Sequence, residues 1–489
     1  MTNFKYKFVF LWILLLYQCT NKIAPSAQNQ SSTNTSELIS SHDSIIQAEE
    51  NSNTLIFLSS VAENLHSLNY SLVSPKLKTK IQMVHPGIAM MLISIGETGQ
   101  WPLEIEVFKN KKPVNKIQLK LLTKKPKGKI SYCDPSVKNM TGDGTLDHPY
   151  PSLAQLFESG YIPEENETIY LLNGNHGDVT VKSSHFNIVS FKENYPRLRS
   201  ISFQSAHHVK VSGISIISKL PQNANLVFAD SLSSYIEISN CHIADDVEEN
   251  ELASKDWKNY VASGIYMKGN HNRIINNLIQ LVFHGIQFDG DENLFSCNII
   301  DRFCGDAIRN TGNKNVYSNN FLSNALIDDY YEPYGNHDDL FQAWTHDKPI
   351  EHITIKDNIA ISILDSEIQN KSKIVQGIVC FDGFSDHWII EDNVVYTDHP
   401  HGIALFGATN CTIRNNKVFR NPKRMFKFES DPWIMVRSHK DNRESVGNVV
   451  EDNISNVYRL ETAHSKISNN IILDSISQNK WYEKHGWKE

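Results

Sequence analysis

The chain has 489 residues and a formal net charge of −8 at pH 7. That length supports a large core and more than one domain. The acidic balance argues against broad nucleic-acid binding, which needs a basic footprint, and no apolar run reaches the ~18–20 residues of a spanning helix.

In chain order, residues 1–22 read as an export signal. Lys5 and Lys7 precede the short apolar segment "FVFLWILLLY" (Phe8 to Tyr17). Cys19 then sits where a bacterial lipoprotein signal carries its lipid-attachment cysteine, which predicts an exported chain tied to the outer membrane, periplasmic face or cell surface only through that anchor. Gln18 in front of it is not the small residue such signals usually carry, so plain cleavage or an uncleaved anchor are the alternatives. Six further cysteines remain: Cys133, Cys241, Cys297, Cys304, Cys380 and Cys411. They are irregularly spaced with no C-x-x-C pair, which supports no zinc site. Cys241, Cys297, Cys380 and Cys411 fall in apolar strand patterns and are expected as buried thiols, with disulfides as the alternative in an exported chain.

Residues 23–52 are rich in Ser, Asn, Gln and Thr, a composition that cannot bury enough surface to order itself, and they are predicted to be a disordered tether. Residues 53–126 are predicted to form a small β-sandwich. In "LEIEVFKNKKPVNKIQLKLL", Leu103, Ile105 and Val107 alternate on one side of a turn and Ile117, Leu119 and Leu121 on the other.

From residue 127 a repeat takes over. Asparagine recurs after short β-branched runs, as in "IINNLI", "FSCNII", "YSNNFL" and "IRNNKV", and Asn277, Asn298 and Asn320 are 21 and 22 residues apart. A second register runs through "SGIYMKG", "HGIQFDG", "DAIRNTG", "QGIVCFDG" and "HGIALFG" with the same period. Coils of twenty-odd residues built from several short strands define a solenoid. The connections are too brief for crossover helices. Asparagine suits the turn because it tolerates left-handed φ and its amide can bond the next coil, so the ladder asparagines are expected to be structural.

The lead-in "YCDPSVKNMTGDGTLDHPYPSL" with these Asn-ladder coils behind it resembles the right-handed parallel β-helix proteins of the pectate-lyase-like superfamily. The resemblance implies an all-β chain whose residues 127–489 form a right-handed parallel β-helix. It also implies a protein that acts on or binds polysaccharide, since many activities are grafted on this scaffold.

Stacking the second register coil by coil places Ile265, Ile286, Ile308, Phe341, Ile378 and Ile403 in one inward column. The neighbouring outward column then reads Tyr266, Gln287, Arg309, Gln342, Val379 and Ala404, and a further one reads Lys268, Asp289, Thr311, Trp344, Phe381 and Phe406. Two positions before each inward residue stand Ser263, His284, Asp306, Asp339, Gln376 and His401. A regular strand would point this last column inward as structural hydrogen-bonders; a bend at the following Gly or Ala would turn it outward as a site.

The ladder spacing widens to 38 residues between Asn320 and Asn358, which inserts "ALIDDYYEPYGNHDD" directly before the Asp339 strand. Insertions in repeat proteins gather on the binding face. Tyr330, Tyr331 and Tyr334 offer flat surfaces for sugar rings, and Asp328 and Asp338 offer carboxylates to which Ca²⁺ could bind without a defined ligand motif. The bland alternative is a solvated acidic loop. A second insertion after Asn416 brings Lys423, Arg424, Lys427, Arg437, His439, Lys440 and Arg443 around Trp433, a composition suited to an anionic polymer or to a hydrated basic loop.

"PYGNHDD" is similar to the Tyr-Gly…His-Asp active-site segment of mannuronan epimerases and related alginate-acting enzymes. That resemblance implies Tyr334 and His337 as proton carriers, with Asp339 holding the imidazole or the substrate. Removing the proton beside a uronate carboxylate needs a base and a neutraliser for the carboxylate. Asp306 and Arg309 join the catalytic set on this reading, and His284, Gln287, Gln342, Trp344, Tyr330, Tyr331, His401 and Arg437 are the substrate-binding candidates. The expected function is therefore lyase or epimerase chemistry on an anionic polysaccharide. The alternatives are a glycosidase using paired aspartates from Asp306, Asp338 and Asp339, and a non-catalytic carbohydrate-binding or adhesion protein.

Overall fold

A computed structural model describes residues 13–14, 44–60, 68–72, 78–85, 88–109, 112–221, 223–247, 261–327, 338–345, 348–365, 375–423, 430–461 and 464–484. The alternating segments near the N-terminus pair as two sheets. Asn53–Ser60, Ile88–Ser94 and Lys78–His85 run antiparallel in one. In the other, Lys112–Lys124 forms a hairpin with Gly99–Lys109, whose far edge takes Leu68–Leu72. Leu55, Phe57, Met91 and Ile93 from the first sheet meet Leu103, Leu119 and Leu121 from the second in one core.

The tether expected over 23–52 ends sooner than its composition implied. Ser44–Glu49 is a strand lying parallel to Lys112–Lys124, and Ile46 and Ala48 are buried in the sandwich core. Alternation of only two large apolar residues is too little signal to read in a polar stretch. The partner strand supplies the backbone hydrogen bonds that decide it.

Beyond residue 130 the chain coils through three long sheets, each strand paired in parallel with its equivalents one coil away. Sheet I has thirteen strands from Ile130–Cys133 to Lys466–Ser468, sheet II twelve from Gly174–Asn175 to Ile471–Ile472, and sheet III eleven from Asp178–Val181 to Val457–Leu460. This is a parallel β-helix, right-handed as the connection rule requires. The helix Leu153–Glu158, capped by Ser152, closes its first coils with Leu153 and Leu156. The interior is a continuous column of Ile, Val, Leu and Phe from Ile169 to Val450.

The asparagine ladder divides two tasks that the sequence assigns to one residue. The left-handed position is the residue before each ladder asparagine: φ is 54° at Asn276, 60° at Cys297, 56° at Asn319 and 55° at Asp357. The ladder asparagine itself is buried and spends its amide on its neighbours. Asn298 Nδ2 donates to Ile274 O at 2.9 Å, while its Oδ1 accepts from the backbone N–H and Nδ2 of Asn277, both at 2.9 Å. The six cysteines from Cys133 to Cys411 are all buried and none is bonded to another.

The middle of sheet II does not face solvent. Its outward residues Leu278, Ile299, Phe321, Ile359 and Val394 belong to the same core as the sandwich, and Asn276 Nδ2 donates to Leu55 O across that contact at 3.0 Å. Farther along, Trp481 of the C-terminal helix Ser475–Lys484 packs on Phe419 with ring centroids 5.1 Å apart. In the coils from residue 225 onward the four longest connections (245–262, 326–338, 362–375 and 421–432) all join a sheet II strand to a sheet III strand. Their ends therefore lie along one corner, beside the face of sheet III.

Candidate active site at the corner of sheet III

The strand register fixes which side chains share this face. Tyr266, Gln287, Arg309, Gln342, Val379 and Ala404 oppose one another on successive coils, as the spacing predicts. The inward column Ile265 to Ile403 is buried throughout. One position differs: a bulge between Gln342 and Trp344 sets Trp344 opposite Asp382 instead of Phe381. An extra residue in one strand shifts all later pairing, and no local pattern announces it. The indole thereby lies beside Arg309, whose guanidinium carbon is 4.5 Å from the ring centroid.

The column at His284, Asp306, Asp339 and Gln376 resolves the choice between inward and outward. These side chains are buried, yet His284 and Asp306 are reached by Arg309, which points outward and keeps 25% of its side chain exposed. They sit at the corner, where the chain turns from sheet II into sheet III. Asp306 Oδ1 accepts the backbone N–H of Asp339 at 2.8 Å, and its Oδ2 lies 3.2 Å from Arg309 Nε. His284 Nδ1 accepts the backbone N–H of Asp306 at 2.9 Å, and its Nε2 stands 3.1 Å from Arg309 Nη1. Gly305 makes this packing possible: a Cβ there would stand 2.6 Å from the imidazole Cε1 and Nδ1.

Burial sets the protonation states. Desolvation pushes the Asp306 carboxyl up to about 7 against the opposing pull of Arg309 and the Asp339 N–H. Desolvation, with the charges of Asp306 and Asp338 added, holds Asp339 well above the usual carboxylate range. Two carboxyls so placed cannot both ionise cheaply near neutrality, so the pair retains a proton. Desolvation first, and then the Arg309 charge, depress His284 to about 3, which leaves it neutral.

A pH test follows from Asp306. Its folded pKa of about 7 lies above the ordinary 3.8, so the folded state holds the proton more tightly. Stability from this group is complete below about pH 4 and is lost as pH rises through 7. The neutral Asp306→Asn chain escapes that loss, with a ceiling of about 4 kcal/mol. Urea midpoints should show the variant gaining on the parent from pH 5 to pH 8. The depressed pKa of His284, and those of the buried His176 and His242 at about 4, slope the other way, but both chains carry them. A gap that stays constant with pH would show that Asp306 is not held protonated.

Other candidates are placed differently. Gln287 faces the groove but its Nε2 donates to Asp289 Oδ1 at 2.8 Å; Thr311 Oγ1 donates to the same oxygen at 2.8 Å, and the Tyr266 hydroxyl bonds Asp289 Oδ2. Asp289 and Tyr266, not singled out from the sequence, are thus the second polar cluster of the face; their column position was the available signal. Gln342 stands close enough to the Asp339 carboxyl to favour its charged form. His401 shares the corner two coils beyond Asp339, with Nδ1 2.6 Å from Gln376 Oε1 and its ring packed 4.6 Å from Phe381.

Arg437 is not brought to this cluster. It lies three coils past the Asp339 strand, opposite Phe406, and its Nε is 3.4 Å from Glu461 Oε1. Lys440 and Arg443 of the same basic segment pair with Asp382 and Asp441. Nearby chain carboxylates answer these cations, which the linear sequence could not show. Asp338 is buried next to Asp339, while Asp328, Tyr330, Tyr331, Tyr334 and His337 lie outside the described residues, as does Cys19. Among the described residues no group of three His, Cys, Asp or Glu side chains is arranged to hold a metal ion.

No protein-family model and no curated protein matches the chain. Two solved structures share its fold. An alginate lyase from Paenibacillus sp. str. FPU-7 is 11% identical, covering 66% of this chain and 96% of its own, with a TM-score of 0.33. The A-module of a mannuronan C-5 epimerase from Azotobacter vinelandii is 10% identical, covering 66% and 94%, with a TM-score of 0.38. At these identities the likeness is one of fold.

Proposed function

We propose that this chain acts on a uronate-containing polysaccharide by withdrawing the proton at C5, as a lyase or an epimerase. The observation that carries the proposal is the buried Asp306–Asp339 pair, whose carboxyls burial pushes toward the neutral form, with Asp306 Oδ2 3.2 Å from the outward Arg309. Removing a proton next to a carboxylate builds negative charge on that carboxylate, and a fixed cation with a neutral acid beside it stabilises that charge. The base would come from the insertion ending at Asp338, where Tyr334 and His337 are the candidates. In a lyase the C5–H and C4–O bonds break, C4=C5 forms, and the departing oxygen takes a proton. In an epimerase a proton returns to C5 from the opposite face. The fold neighbours' names refer to alginate and mannuronan, but the proposal stands on the residues of this chain.

The same carboxyl pair is the specific observation that favours a second reading, a glycoside hydrolase in which the protonated member acts as general acid. One experiment separates them. The full chain is incubated in deuterated buffer with a panel of acidic polysaccharides. Ultraviolet absorbance of unsaturated uronate ends is the expected lyase signal, and deuterium at C5 without scission is the epimerase signal. New reducing ends without unsaturation would replace the proposal with hydrolysis. Binding with no chemistry on any polymer would leave a binding protein.

A further inference from the structure

Among the described residues, two hydrogen-bond donors meet at the rim of the site with no acceptor between them. Asp306 donates its backbone N–H to His284 Nδ1 at 2.9 Å, so Nδ1 must present a lone pair. A neutral imidazole then carries its one hydrogen on Nε2. That Nε2–H faces Arg309 Nη1 at 3.1 Å, and a guanidinium nitrogen has only hydrogens to offer. Two N–H groups turned toward each other repel unless both turn to a shared acceptor.

The surroundings hold the pair in this arrangement. Asp306 Oδ2 lies 3.2 Å from Arg309 Nε, and Trp344 covers a face of the guanidinium. Phe283 packs against the imidazole with ring centroids 4.2 Å apart, and Gly305 lies against its edge. Arg309 keeps a quarter of its side chain exposed and His284 about a tenth, so both donors border solvent-reached surface.

We propose that His284 Nε2–H and Arg309 Nη1–H together form a carboxylate seat, in which one carboxylate bridges the two donors. His284 is then a fixed-tautomer donor that recognises the anion, and not a proton acceptor. The burial that keeps it neutral also keeps it from becoming a second cation. The seat deepens the uronate reading, because it supplies the contact that distinguishes a uronate from a neutral sugar. It also rests on that reading for the identity of its natural ligand.

The test is binding without turnover. The full ¹⁵N-labelled chain is titrated with acetate, with glucuronate and with glucose while the histidine ring nitrogens are followed by NMR. His284 is expected as the Nε2–H tautomer throughout neutral pH, and its Nε2–H signal should move with acetate and glucuronate but not with glucose. Replacing His284 by Phe should weaken glucuronate binding about 10- to 100-fold, the value of a charge-assisted hydrogen bond. His284→Gln, which keeps an N–H donor, should recover part of it. Gly305→Ala should reproduce the loss without touching either donor, because its new methyl displaces the ring. An Nδ1–H tautomer, no shift with either carboxylate, or equal shifts with glucose would each overturn the seat. Binding at the seat by a chain that transforms no uronate polymer would keep the seat and remove the proposed reaction. Turnover with no response at His284 would do the reverse.

Discussion

Asp339→Asn is expected to cut turnover of the uronate polymer by about 100- to 1,000-fold, the range for loss of one group that stabilises the developing charge, while the chain stays folded. Asparagine matches the aspartic acid in size and leaves intact the Asp339 backbone bonds to Asp306 Oδ1 and Ala307 N. What it removes is the acidic proton that burial favours on the Asp339 carboxyl. Stability supplies the control. Asp339 is held protonated by burial and by the neighbouring charges of Asp306 and Asp338, so the neutral amide should leave the variant at least as stable as the parent at pH 8. Steady-state rates on the polymer, set beside urea unfolding at pH 5 and pH 8, check both halves. Full activity in a folded variant would take Asp339 out of the mechanism.

Asn298→Ala is expected to destabilise the β-helix by about 3–5 kcal/mol, an unusually large effect for one polar side chain. Its amide bonds the backbone of Ile274 and Ser296 and the next ladder residue Asn320, and its oxygen receives two donors from Asn277. Alanine would strand several of these groups in a dry interior, and each buried group left unpaired costs about 1–3 kcal/mol. Asn319→Gly is the contrasting case. That residue holds φ at 56°, a conformation that glycine adopts freely, so its unfolding midpoint should move little. Equal losses at the two positions would mean that the buried amide of Asn298 is not what sets the ladder residue apart from its neighbour.

These two asparagines show how far the local sequence reaches. The period of 21 and 22 residues, the ladder and the inward column from Ile265 to Ile403 were all legible, because every coil repeats the same short-range demand. The alternating side chains also placed Arg309, Gln287 and Gln342 on one outward line, which the strand register bears out. What the pattern could not resolve was the column of His284, Asp306 and Asp339. Strand parity sends it inward, and only the corner between sheets II and III lets Arg309 reach it from outside while the carboxyls stay buried. The basic segment misled for a related reason. Arg437, Lys440 and Arg443 look free in sequence, but Glu461, Asp382 and Asp441 are folded against them.

By itself the sequence determined the coil, its asparagine turn and the order of side chains along each face, since these depend on residues within about one turn of the solenoid. The tertiary structure decided which face stays open. Leu278, Ile299 and Phe321 point outward from sheet II and required a cover, which the sandwich supplies and the C-terminal helix extends. With the middle of that face closed and the long connections starting and ending along the next corner, sheet III is the open face beside them. Burial at that corner, a property of packed surfaces and not of any local pattern, is what keeps a proton on the Asp306–Asp339 pair.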